Sequence, residues 1–289
     1  MPPLIRQLSN ARSRYFLTSS GLNLEFRQQG DPFAETIVMV HGLGTDCRIF
    51  LPNIDPLAES YQVIVLSLRG HGLSDKPREM TASSFSMDLL VRDLIELTWS
   101  LGIQSFHLVG HGLGAVIGFE LMNRDPDSLE SLVSISTPAT GEATRAASKI
   151  YQKATGLASR LGTHKKTAEN IAKMCSSNPE AIAFLKDEVF YASDWEIAKM
   201  LKQYPEAPEY IQTIRNNPAI PVHFLIGIDP AVEKSLSLYK AMSKTQAELK
   251  GYDHAQVTLL EGLGYFPNLD APLVFHQNLQ NILTTSGQL

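Results

Sequence analysis

The chain has 289 residues, 44% of them hydrophobic and 19% charged, with a formal net charge of −5, a composition that suits a soluble globular protein built on one large core. Its Lys and Arg residues are scattered and the charge balance is slightly acidic, which excludes an electrostatic nucleic-acid partner. Two cysteines, Cys47 and Cys175, lie far apart in no ligand-like spacing, so neither a disulfide framework nor a metal site is expected, and no motif asks for a cofactor.

The opening segment, MPPLIRQLSNARSRYFLTSSG, has no apolar core of the length a secretory signal needs. No later window approaches the roughly 20 apolar residues of a membrane span. A cytoplasmic protein with no membrane partner is the expectation, although the Arg and Ser content before the first acid, Glu25, leaves an organelle address open.

Along the chain, apolar runs bounded by turn residues alternate with amphipathic stretches, the pattern of a mostly parallel sheet wrapped by helices. Strands are predicted at Leu22–Arg27, Thr36–Val40, Gln62–Leu66, Ser105–Val109, Leu132–Ile135, Val222–Ile226 and Gln256–Leu260. Helices fit between and after them at Asp46–Ser60, Phe85–Gly102, Leu113–Arg124, Ala231–Leu249 and Asp270–Thr284. From about Gly141 to Pro218 the alternation breaks into helical patterns such as ATRAASKIYQKATGLASRL and AIAFLKDEVFYASDWEIAKMLKQY, punctuated by Pro179, Pro205 and Pro208. Because the strand pattern resumes afterwards, this interval reads as an inserted helical cap, with residues 1–140 and 219–289 as the core and 141–218 as the cap. The fold class is α/β, a doubly wound sheet with that insertion.

The stretch FHLVGHGLGAVIGFE, Phe106 to Glu120, carries the functional question. A β-branched and aromatic run ends in Gly110-His111-Gly112-Leu113-Gly114 and passes into a small-residue helix, the layout of a nucleophile elbow, G-x-S-x-G, with glycine at the serine position. Four other segments agree in order: His41-Gly42-Leu43-Gly44, LRGHGLSDKP at Leu68–Pro77, IGIDPAV at Ile226–Val232 and LEGLGYFPNLDAP at Leu260–Pro272. Over nearly its whole length the chain resembles the α/β-hydrolase-fold family, capped and esterase- or epoxide-hydrolase-like. The resemblance implies an oxyanion loop at His41–Gly44, an acid on the loop that holds Asp229, and a histidine where this chain has Tyr265 before Phe266-Pro267.

Triad chemistry needs an attacking oxygen on a sharp turn, a histidine to take its proton and an acid to fix that histidine's tautomer. Only the acid candidate, Asp229, is present. Strand polarity sorts the eight histidines, because functional loops lie at the carboxyl ends of strands. His223 and His254 enter strands from the opposite edge, His107 lies within a strand and His276 on the last helix. His41 and His111 flank backbone turns, where loop structure is the expected role, together with Gly42 and Phe266 as lining of the pocket. His71 and His164 are left as weaker candidate bases. Cys47, with no adjacent base, reads as a small buried hydrophobe.

Loss of a triad nucleophile or histidine costs about 10⁶-fold in turnover, or about 8 kcal/mol of barrier, and losing the second adds little. What survives is backbone: the N–H groups of Leu43 and Leu113 still form an oxyanion hole. Such a site suits a non-hydrolytic step (cyclisation, isomerisation, condensation or lyase type) on a small apolar carbonyl compound, with Tyr265 as acid or hydrogen-bond donor and Asp229 as base. Tyr265 as a plain pocket-filling aromatic stays open. So do a ligand-binding or regulatory protein that has lost catalysis, and a residual hydrolase or a chain disabled by design, the last weakened because two positions differ and one is tyrosine.

Overall fold

The computed structural model describes residues 9, 11–137, 139, 164–190, 210–232 and 242–286. Eight strands form one sheet in the order β1-β2-β4-β3-β5-β6-β7-β8: β1 (Ser13–Leu17), β2 (Asn23–Gln29), β3 (Thr36–Val40), β4 (Gln62–Leu66), β5 (Phe106–His111), β6 (Leu129–Ile135), β7 (Val222–Ile228) and β8 (Ala255–Glu261). The first two are antiparallel to each other and β2 to β4, while β4 through β8 run parallel along the sheet. Every residue of β3, β4 and β5 is buried, as expected for parallel strands covered on both faces, and their β-branched runs TIVMV and QVIVL satisfy that demand.

The helices that cover these faces follow from local chemistry. In α1 (Leu51–Leu57) Pro52 sits in the first turn, where its missing N–H removes no bond. Ser86 caps α2 (Met87–Ser100) by accepting the Leu89 N–H, and Leu90, Val91, Leu94 and Leu97 form its buried stripe. α3 (Leu113–Arg124) is buried over most of its length, through Leu113–Phe119, Leu121 and Met122.

Between β6 and β7 the described residues form α4 (His164–Cys175), α5 (Pro179–Phe184), a wider turn Leu185–Phe190 and α6 (Ile211–Asn216). Asn178 caps α5 through the N–H groups of Glu180 and Ala181. The Leu185–Phe190 turn packs on the short 3-10 turn Cys47–Phe50, and α5 packs on α8 (Pro267–Asp270). A short helix, α7, spans 242–248, and α9 (Pro272–Ser286) closes the described chain.

Several sequence expectations change. β1 was not expected; its half-exposed SRYFL pairs in full register with β2 at the sheet edge, where burial leaves little periodic signal. The helix expected at Asp46–Ser60 is a 3-10 turn followed by α1, while that expected at Asp270–Thr284 is α9, which begins two residues later at Pro272. Proline sets both starts: Pro52 lies in the first turn of α1 and Pro272 opens α9. The stretch ATRAASKIYQKATGLASRL, much of Ala231–Leu249 and the end of the second helical pattern lie outside the described residues. No helix among the described residues is long and apolar enough to cross a membrane.

Candidate functional site

In the sheet, Val40 pairs with Gly110 and His111 with Ile135. The loop after β3, the turn after β5 and the end of β6 therefore emerge side by side at the carboxyl edge. At the turn, Gly112 adopts φ 55° and ψ −114° and caps α3, a left-handed conformation that disfavours any residue with a Cβ. Its neighbours are glycine for a different reason: a Cβ at Gly110 would lie 2.3 Å from the Ala115 nitrogen and one at Gly114 only 2.0 Å from the Val40 carbonyl oxygen. Those two let α3 press against the sheet. At Gly112 itself there is room, with Gly42 Cα at 3.4 Å and the Tyr265 hydroxyl at 3.5 Å from the Cβ position.

The backbone donors are aimed by what their own peptides accept. The Gly42 carbonyl takes hydrogen bonds from the Thr45 hydroxyl (2.8 Å), the Thr45 N–H (3.2 Å) and His41 Nδ1 (2.7 Å). Since C=O and N–H point oppositely across a trans peptide, the Leu43 N–H faces the other way. The Gly112 carbonyl accepts from Ala115 and Val116 inside α3, so the Leu113 N–H projects from the helix start. Neither N–H is engaged by a described residue.

His41 is enclosed. Its Nε2 accepts the Leu68 N–H at 2.9 Å, and burial followed by the neighbouring His71 holds its pKa well below the ordinary histidine value. It acts as a neutral strut for the loop after β3. His71 lies against it with ring centroids 5.1 Å apart and shares Nδ1 with the Arg69 carbonyl at 3.0 Å. His111 stacks on Phe266 (4.4 Å, 13°), meets the Tyr265 ring edge-on (4.8 Å, 85°), and its Nε2 donates to the Tyr265 carbonyl at 3.0 Å. Thus His111, Tyr265 and Phe266 form one aromatic cluster beside Gly112. Of the other candidate base, His164, the structure gives the place alone, the start of α4. The Cys47 thiol is pushed up to about 12, by burial first and then by Glu25 and Asp46.

Asp229 is buried just beyond β7, where it accepts the Ala231 N–H at 2.8 Å and the Ser177 hydroxyl. Beside it is a second carboxylate that sequence reasoning placed merely at the start of a helix. Asp270 accepts the Gly264 N–H at 2.6 Å and the Ser176 hydroxyl, and burial lifts its pKa to about 6, against the pull of those two donors and helped by the Asp229 charge. The Asn178 amide donates to the Asp270 carbonyl at 2.7 Å, and the Tyr265 N–H donates to the Cys175 carbonyl at 2.7 Å. Residues 175–178 of the insertion are thereby tied to the loop that bears Tyr265. Ser136, also missed, is buried and donates to the Tyr265 carbonyl at 2.8 Å. A serine after a strand carries no local signal of that role.

Among the described residues no three His, Cys, Asp or Glu side chains are placed to hold a metal ion. Sheet order and elbow together are those of the hydrolase class of α/β proteins. The chain belongs to the alpha/beta hydrolase fold family, whose profile matches residues 35–255. It is 32% identical over 133 residues to the dihydrolipoyllysine-residue acetyltransferase component of the acetoin cleaving system of Cupriavidus necator, a stretch covering 46% of this chain and 34% of that protein. Over 115 residues it is 32% identical to RutD of Stutzerimonas stutzeri, assigned as a carbamate hydrolase, covering 40% of this chain and 42% of that one. The matches thus span less than half the length of these relatives. A solved carboxylesterase structure from Nitrososphaera gargenis superposes with a TM-score of 0.80 over 95% of this chain and 99% of that one, at 19% identity, a likeness of fold.

Proposed function

We propose that the chain binds a small apolar carbonyl compound at the elbow and promotes a step that needs no covalent intermediate, such as enolisation, isomerisation, cyclisation, condensation or elimination. One observation carries the reading: the Tyr265 hydroxyl stands 3.5 Å from where the missing elbow side chain would begin. The Leu43 and Leu113 N–H groups beside it are unengaged by any described residue. A hydroxyl beside the elbow tip together with two backbone N–H groups of the adjoining turns would suit a carbonyl oxygen on which charge develops, and fixed dipoles are worth most there because they need no reorganisation. The loss of both nucleophile and histidine removes the acyl-enzyme route by about 8 kcal/mol. The names of the relatives, a carbamate hydrolase and an acetyltransferase component among them, agree with an acyl or carbonyl ligand while their own reactions stay theirs.

In this reading Tyr265 donates to the carbonyl oxygen and Asp229 takes the proton from the adjacent carbon. The described helices that follow β6, α4 and α5 with the turn Leu185–Phe190, act as the cap over that point. Proton wash-out tests it: cyclohexanone or δ-decalactone in D₂O should lose its α-protons faster with the protein than without it, as read by NMR. Tyr265→Phe or Asp229→Asn should abolish the gain while leaving ligand affinity within about tenfold, since one hydrogen bond contributes about 1–1.5 kcal/mol in the ground state. Exchange at the background rate with the wild-type chain would overturn the enzyme reading. A second reading, a binding protein without turnover, draws on the Ser177 hydroxyl and Ala231 N–H that already occupy Asp229. It expects binding of the lactone without exchange.

A further inference from the structure

Ser136 is the one non-glycine residue with positive φ among the described residues, at 52°. Residues with a Cβ are disfavoured there, and where one persists the surroundings hold it for a reason. The bend comes immediately after β6, next to the elbow strand. The residue before it, Ile135, accepts the Gly112 N–H at 3.3 Å, while the Ser136 N–H remains stitched to Leu225 of β7 at 3.0 Å. What the bend achieves is the direction of the side chain: Oγ donates to the Tyr265 carbonyl at 2.8 Å. Glycine would adopt the same backbone without strain but has no hydroxyl to donate.

That carbonyl also receives His111 Nε2 at 3.0 Å, and the N–H of the same residue donates to Cys175 at 2.7 Å. The backbone of Tyr265 is therefore held at both polar groups, from the ends of β5 and β6 on one side and from α4 on the other. With the His111 ring edge-on to it at 4.8 Å, the tyrosine ring has a fixed origin and a fixed wall, which together set where its hydroxyl stands above Gly112.

We propose that Ser136 is a positioning residue for Tyr265, holding the phenolic hydroxyl over the elbow so that it meets a bound carbonyl oxygen. The use of that hydroxyl rests on the function proposed above; the positioning itself rests on the hydrogen bonds. The test uses the full chain with ring-¹³C tyrosine, the Tyr265 signal among nine tyrosines being identified by its loss in Tyr265→Phe. Ser136→Gly keeps the bend and removes the hydroxyl, so it should fold at least as stably as the wild type while the Tyr265 signal shifts or broadens. The δ-decalactone dissociation constant should rise by about five- to tenfold, the loss of one hydrogen bond's alignment. Ser136→Ala should show the same spectral change together with lower stability, because it loses the hydrogen bond and, unlike glycine, keeps the strain. A Tyr265 signal that coincides with the wild type in both variants overturns the inference. If the signal responds to both variants but not to δ-decalactone in the wild-type chain, positioning stands and the proposed use of the hydroxyl falls.

Discussion

A methyl group at position 112 and one at position 114 meet opposite situations two residues apart. At Gly112 the obstacle is conformational: φ is 55°, yet the nearest atoms to an added Cβ are 3.4 and 3.5 Å away. At Gly114 the obstacle is a backbone carbonyl at 2.0 Å that cannot swing aside. Gly112→Ala should therefore lower stability by about 1–2 kcal/mol and Gly114→Ala by about 3 kcal/mol or more, as read from urea unfolding midpoints. Equal losses would contradict the elbow geometry. The same room at position 112 makes a direct chemical check feasible. Gly112→Ser combined with Tyr265→His should give measurable hydrolysis of a nitrophenyl ester, and either change alone almost none, because nucleophile and base act as a unit. A folded double variant at the background rate would remove Asp229 from the role of orienting acid.

Two contacts between elements carry predictions of their own. The loop after β4 is pinned to α2 by Arg69 and Asp93, both almost fully buried and paired through two bonds of 2.7 and 2.6 Å. Arg69→Met leaves a buried carboxylate without its partner and should cost about 3–5 kcal/mol, while Arg69→Met with Asp93→Leu should recover most of that loss; equal instability of the single and double variants would show that packing, not charge, holds the loop. The second contact joins the insertion to the Tyr265 loop through Asp270. Its pKa is lifted to about 6 by burial, above the roughly 3.9 of an unfolded aspartate. A raised folded value favours the protonated form, so this contribution to stability is full below about pH 4 and is lost as pH rises through about 6. The ceiling of the loss is about 3 kcal/mol, two units at 1.36 kcal/mol each. Asp270→Asn should flatten that part of the stability profile between pH 4 and 7, and an unchanged slope would assign it to other groups.

For the molecule as a whole, stability should be graded across the sheet. Strands β3, β4 and β5 are buried at every residue, whereas β1 and β8 form the two edges and fully bury only Leu260 between them. Amide exchange should be slowest in the central three and fastest in β1, since edge amides open by local fraying and central ones need global unfolding. Exchange of β5 as fast as β1 would contradict a single cooperative core. The strand order also explains what could be read before the structure. Fully apolar runs such as Thr36–Val40 and Gln62–Leu66, and the helix Leu113–Arg124, were legible to the residue because burial on both faces, or a glycine-marked start, leaves a sharp local pattern. The edge strand β1 was not, because one-sided and partial burial blurs its period. The break between the Cys47–Phe50 turn and α1 was not legible because the apolar spacing of Asp46–Ser60 runs through it.

The same division holds at the site. The sequence by itself determined that glycine stands at the serine position of the elbow motif and tyrosine where the family resemblance expects histidine, and it pointed to backbone donors at Leu43 and Leu113, since each of these depends on residue identity at a motif position. Only the tertiary structure decided that the Tyr265 hydroxyl comes to 3.5 Å from the Cβ position of Gly112, that Ser136 and His111 share the Tyr265 carbonyl, and that Asp270 joins Asp229. Those facts join residues 129 and 154 positions apart along the chain. A contact across such a separation is created by strand order and register, and no local pattern of side chains encodes it.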